Sequence, residues 1–228
     1  MTTLRLASYN LHKCRGMTGV HAPERNLEVI AALKPDIIAL QEVDFRYGAR
    51  PEALPRGLVE RATGLVPADF IGTGAESLGW HGQTILMRPD LARDVTVRRL
   101  PLPGIEPRGA IALRLPGLTV VAVHLGLARS SRRAQLQRLA ARVARIGVGH
   151  AVMMGDFNEW RDDRGLEPLE GWRGIAPGPS YPAPMPQLRL DRIALSRDLH
   201  LVASGVHATD PAPQASDHLP IWADIALP

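Results

Sequence analysis

A chain of 228 residues with 45% apolar composition is long enough to bury a sizeable core, reads as one domain over residues 1–228, and is not a disordered protein. One cysteine, Cys14, excludes an intrachain disulfide and fits a reducing, cytoplasmic setting, and no apolar run nears the ~20 residues that cross a bilayer. Formal charge is +4, and of the 27 basic residues only Lys13 and Lys34 are lysines. Guanidinium forks suit phosphate, but a GC-rich genome gives the same bias, so charge alone selects no partner.

Residues 4–9 read as a strand that ends at Asn10, with no signal-peptide pattern before it. Residues 24–33 carry Leu27, Ile30 and Leu33 at helical spacing, and Pro35 closes that helix. Residues 37–40 form a buried strand ending at Gln41-Glu42. Residues 48–82 read as loop-rich and contain the adjacent Trp80 and His81. Strands follow at 83–88, 94–100 and 109–115. The strand 119–123 ends at His124. A second helix spans 132–146, with Leu136, Leu139, Val143 and Ile146 on one face. Its Arg138, Arg142 and Arg145 read as a solvated face; Ser130 or Ser131 caps the start and Gly147 the end. The apolar strand 151–154 leads into Asp156. Residues 171–187, with five prolines, read as a surface loop placed to wall a cleft, not as a strand. Strands at 190–195 and 219–225 complete the chain. Strands outnumber helices and no repeat is present. That pattern favours two packed sheets flanked by helices over one doubly wound sheet.

Polar residues stand at the strand ends. Asp156 and Asn158 share a side if their segment is extended, because side chains alternate along a strand. Ser216-Asp217-His218 precedes another apolar stretch. Phosphate-ester hydrolysis at neutral pH needs an activated water, neutralised phosphoryl charge and a proton for the leaving oxygen. A magnesium-like ion meets the first two needs and prefers carboxylate and amide oxygens. Asn10, Glu42, Asp156, Asn158 and Asp217 are such donors. His124 and His218 are acid–base candidates, since histidine titrates near the working pH. Arg108, in Pro107-Arg108-Gly109, has a small neighbour that opens the backbone to a phosphate. No His-Glu-x-x-His, paired-cysteine or Gly-x-Ser-x-Gly motif is present, nor a glycine-rich nucleotide loop ending in Lys-Ser or Lys-Thr. Lys13 and Cys14 are given no catalytic role, and Trp160 is expected to pack, with a cleft-wall role as the alternative.

Seven stretches in order carry a resemblance. They are Ser8-Tyr9-Asn10, Leu40-Gln41-Glu42-Val43, Pro107-Arg108-Gly109-Ala110, Val123-His124-Leu125, Gly155-Asp156-Phe157-Asn158, Leu190-Asp191-Arg192-Ile193 and Ser216-Asp217-His218. Together they resemble the endonuclease/exonuclease/phosphatase superfamily of DNase I-like and exonuclease III-like enzymes, and within it a branch of small bacterial hydrolases. Each residue alone has a structural explanation; their joint order argues against a purely structural one. The resemblance implies a four-layer α/β/β/α sandwich of two mixed, mostly antiparallel sheets flanked by helices. It implies that Asn10 and Glu42 hold the metal; Asp217, an oxygen donor by residue type, is the candidate further ligand. It gives Asp156 the water, Asn158 its orientation and the phosphate, and His124 the leaving group. His218 would act on the phosphoryl group or as base, with Asp191 or Asp217 fixing its tautomer. Arg108 would clamp the phosphate. The family's Gly-Asn-Ala before the central strand is Gly82-Gln83-Thr84 here, which places Gln83 near the substrate phosphate.

The expected activity is a Mg²⁺-dependent phosphoesterase, with Mn²⁺ as a substitute, acting as a monomer on a phosphodiester. Nucleic acid and phospholipid-type headgroups are both open as substrates. The alternative is a binding module that keeps the fold without turnover.

Overall fold

The computed structural model describes residues 2–45, 50–68, 77–146, 149–161 and 165–227. Twelve described strands form two six-stranded sheets. The first sheet contains β1 (Thr2–Asn10), β2 (Ile37–Gln41), β3 (Val66–Pro67), β4 (Gln83–Met87), β11 (His200–Val206) and β12 (Ile221–Leu227), in the order β11-β12-β1-β2-β4-β3. The second contains β5 (Thr96–Leu102), β6 (Arg108–Leu115), β7 (Leu118–His124), β8 (His150–Asp156), β9 (Trp172–Ile175) and β10 (Asp191–Ser196), in the order β5-β6-β7-β8-β10-β9. Only β1–β2 and β7–β8 run parallel; the remaining pairs are antiparallel.

Strand alternation sorts the apolar residues into layers. Leu4, Leu6, Ile37, Ile85, Ile221 and Ile225 of the first sheet meet Ile111, Val120, Met154 and Ile193 of the second in the central core. Tyr9, Ile38, Leu40 and Leu86 face the other way, onto Leu27, Ile30 and Leu33 of helix α1 (Pro23–Leu33). Val121, Val123 and Met153 take Leu136, Leu139 and Val143 of helix α3 (Arg129–Ile146). The result is the four-layer α/β/β/α sandwich. Each fully buried Leu, Ile, Val or Met contributes roughly 1.5–3 kcal/mol.

Several local expectations change. Helix α2 (Arg56–Thr63) lies in the stretch read as loop-rich; with Val59 its sole buried residue, its apolar stripe is too short to stand out. The Pro-rich stretch opens with a strand, β9, which borrows its ladder from β10 at the sheet edge. β11 is a half-buried strand with a register shift between Leu201 and Ala203, which hides its alternation. Ser130 and Ser131 lie inside α3, whose first residue is Arg129. The expected stop at Gly147 falls outside the described residues. α1 ends at Leu33 with Lys34 in the left-handed conformation (φ 50°), just before Pro35.

Candidate active site

The two sheets bring their polar strand ends together. From the first come Asn10 at the end of β1, Glu42 just after β2, and His218 just before β12. From the second come Arg108 at the start of β6, His124 ending β7, Asp156 ending β8 and Asp191 starting β10. Register does much of the placing. The parallel β7–β8 ladder sets His124 opposite Asp156, and β8–β10 sets Asp156 opposite Asp191. Leu125 N–H donates to the Asp156 carbonyl (2.9 Å) and Phe157 N–H to that of Leu190 (2.9 Å), which extends both ladders past the site.

Asp156 is the hub. Asn10 Nδ2 donates to its Oδ2 at 3.1 Å, and His124 Nε2 and His218 Nε2 lie 3.6 and 3.7 Å from the same oxygen. Its Oδ1 accepts the Asn158 backbone N–H at 2.8 Å. Asp156 and the three side chains around its Oδ2 are all buried. Burial drives the Asp156 carboxyl up to about 6, against the pull of His218. Asn158 does not share a side with Asp156 by strand alternation, because β8 stops at Asp156. Asn158 turns in the left-handed conformation (φ 51°), and its amide donates to the Leu125 carbonyl (2.9 Å).

His218 is held from its other nitrogen. Its Nδ1 lies 2.8 Å from Asp191 Oδ2, which also accepts the Ser180 hydroxyl at 2.5 Å. Burial acts to lower its pKa, but the carboxylates of Asp191 and Asp156, with the Asp191 hydrogen bond, together raise it to about 10. Of the two acids expected to fix its tautomer, Asp191 is therefore the one in contact. Asp217 instead stands 3.4 Å from Ser216 Oγ and 3.9 Å from His12. Ser216 ties this turn to β1: its hydroxyl donates to the Asn10 carbonyl (2.6 Å) and accepts the His218 N–H (3.2 Å). Tyr181 of the Pro-rich loop packs on the His218 ring, with centroids 4.9 Å apart.

A cavity of about 220 Å³ opens beside this cluster, and Lys13, Glu42, Asp44, Arg50, Arg108 and His124 are among its lining residues. Arg108 places Nη2 and Nε at 2.8 and 3.2 Å from Glu106. Gln83 is buried behind the cavity; its Nε2 donates to the Gly109 carbonyl and its Oε1 has no partner. Trp80 packs against Gly109, where an added Cβ would fall 2.3 Å from its ring. Trp160, expected to pack, is 57% exposed. The turn after β8 carries it outward instead of into the core.

Sequence reasoning passed over Lys13, which forms an ion pair with Glu42. His12, Lys13 and Cys14 all have positive φ (47°, 56° and 56°), and Glu42 does too (56°). Four such non-glycine residues are costly and cluster at working sites. Nothing in the residue types announces that fold-back. Among the described residues no three His, Cys, Asp or Glu side chains converge as a metal cage. Yet Glu42 already holds a cation, the Lys13 ammonium, in place. Asn10 adds an amide oxygen on the adjacent strand end, since Asn10 pairs with Gln41. This oxygen donor set fits a hard divalent cation.

The fold and this His–Asp–Asn centre at the sheet ends define a DNase I-like α/β sandwich. The model of the "Endonuclease/Exonuclease/phosphatase family" matches residues 7–218, and the chain belongs to that family of phosphoesterase hydrolases, whose members generally use divalent metals. No curated protein matches it in sequence. Among solved structures it is similar to the Bacteroides vulgatus endonuclease/exonuclease/phosphatase (16% identity, TM-score 0.75, all of both chains). It is similar also to the Bacteroides thetaiotaomicron mannosyl-6-phosphatase (18%, 0.72, 98% of this chain and 100% of that one). A truncated Caenorhabditis elegans TDP2 gives 17% identity and 0.70 over 99% of this chain and 98% of that one.

Proposed function

We propose that the protein is a Mg²⁺-dependent phosphoesterase that hydrolyses a phosphodiester by attack of water, with Mn²⁺ able to replace Mg²⁺. The observation that carries this reading is the convergence of Asn10, His124 and His218 on one buried oxygen of Asp156. Glu42 and Asn10 would hold the cation, with Asp217 as a candidate further ligand, and the bound ion would neutralise phosphoryl charge and acidify a water. Asp156 aligns and deprotonates the attacking water; a carboxyl lifted to about 6 is a better base than a free one yet is ionised at pH 7. Asn158 orients that water and the phosphate. His218, kept protonated by Asp191 and Asp156, stabilises charge on the phosphoryl oxygens and is not the base. His124 gives its proton to the leaving oxygen. Arg108 turns from Glu106 to clamp the phosphate, and Gln83 steadies the strand start that carries it.

Trp160 and Leu127 are exposed around a groove that Asn158 also lines, which suits a second substituent on the phosphate, a base or a lipid headgroup. The similarity to a mannosyl-6-phosphatase puts a sugar phosphomonoester in the substrate panel as well. The test is a screen of DNA, nucleotides, sugar phosphates and phospholipid vesicles with Mg²⁺. Turnover of a diester well above any monoester supports the reading, and exclusive monoester turnover refutes the diester.

A further inference from the structure

A second basic concavity lies at the opposite end of the second sheet, and it does not depend on the catalytic reading. Thr96, Arg114 and Thr119 form one cross-strand row over β5, β6 and β7, on the sheet face that carries α3. Arg98 lies on the same face, two residues along β5. Arg142 and Arg145 of α3 close over the row. Together they line a cavity of about 360 Å³, within the range of small-ligand pockets. From Thr119 to His124 is about 17 Å along the strand, so this is a separate place from the Asp156 centre.

Two independent features make it more than a solvated face. No acidic residue lines the cavity, and none of its four arginines has a side-chain hydrogen bond or ion pair with a described residue. Arginines seated against the fold pair with acids, as Arg5 does with Asp224, Arg88 with Asp36 and Arg132 with Glu159, whereas exposed ones such as Arg61, Arg93 and Arg138 have no such partner among the described residues; what sets this group apart is that four of them line one cavity. Four guanidinium groups lining one concavity with no acidic residue among its described lining make its potential positive and favour an anion there. Thr119 is fully buried on the cavity wall, and its hydroxyl has no hydrogen-bond partner. A buried hydroxyl left unpaired costs about 1–3 kcal/mol, a cost that a ligand oxygen accepting from it removes.

We infer that this cavity binds a small, multiply charged phosphate anion, with paired guanidinium forks on its oxygens and the Thr119 hydroxyl donating to one of them. The helix arginines Arg142 and Arg145 then serve recognition, not only solubility.

The test is NMR titration of the full-length ¹⁵N-labelled protein with inorganic pyrophosphate, in buffer without divalent cations. Sulfate at matched ionic strength is the control. Saturable shifts are expected at the Thr119 and Arg114 amides and at the side-chain Nε–H of Arg98 and Arg114. Arg98→Gln/Arg114→Gln, at exposed positions that leave the core intact, should weaken pyrophosphate at these signals by about tenfold or more. Arg108→Gln should leave them unchanged. Thr119→Val, nearly isosteric, should weaken binding in the same sense while raising the thermal midpoint of the free protein. The inference is overturned by non-saturating shifts, by equal shifts with sulfate, or by affinity indifferent to the arginine pair or to Thr119→Val.

Discussion

Asp156 concentrates the chemistry and the electrostatic tension of the site. Its raised carboxyl and the raised His218 both bind protons more tightly in the folded than in the unfolded chain. Both therefore lose stability as pH rises, Asp156 between 3.8 and about 6, His218 between 6.5 and about 10. Urea unfolding should show wild type less stable at pH 9 than at pH 6. Asp191→Asn, which removes the main support of the His218 charge, should flatten that slope; an unchanged slope would remove His218 from the account. Activity carries the opposite sign. Turnover requires ionised Asp156, so kcat/KM should climb through pH of about 6. His124→Ala should cost ~10²–10⁴-fold with a poor leaving group and much less with a good one. Equal losses for both would remove it as the acid. At this scale the sequence was informative about residue types but not about contacts. Asp156, His124 and His218 stood at strand ends. That Asp191 and not Asp217 orients His218 depends on how a strand of one sheet meets a turn of the other, and that Lys13 reaches back to Glu42 depends on left-handed residues that are not glycines.

Among the elements, the parallel β7–β8 pair matters most, because it aligns His124 with Asp156. Gly155 makes that approach possible: it sits at φ 154°, and a Cβ there would lie 1.9 Å from the Val123 carbonyl oxygen. The clash is with backbone, which cannot swing aside. Gly155→Ala is expected to destabilise by about 3 kcal/mol or more, measured by denaturant unfolding, and to lower activity in the remaining folded protein by spreading the ladder. A near-neutral effect would mean the strands have room the structure does not show. Both long helices were legible from their 3.6-residue stripes, as were the central strands from their apolar runs. The misses share a cause. β9, β11 and α2 bury little, and their form comes from neighbours instead of from their own pattern.

The whole molecule is organised so that neither sheet owns the site. Asn10, Glu42 and His218 come from one sheet and His124, Asp156 and Asp191 from the other, with the central core fixing their separation. Met154, fully buried in that core two residues before Asp156, tests the coupling. Met154→Ala should cost about 2–5 kcal/mol in stability. The two-sheet arrangement was readable from strand number alone, and the four layers from the ordered motifs. The distance between sheet ends was not, since it is set by side chains packing across the core. The central claim, cation-assisted hydrolysis at Asp156, is tested most directly by turnover of an aryl phosphodiester by the purified protein with Mg²⁺, with chelator, and in the Asp156→Asn variant. The account predicts turnover with Mg²⁺, its loss on chelation and recovery on Mg²⁺ addition, and near-abolition in Asp156→Asn with the fold retained. Full activity in chelator, or an Asp156→Asn variant as active as wild type, would contradict it.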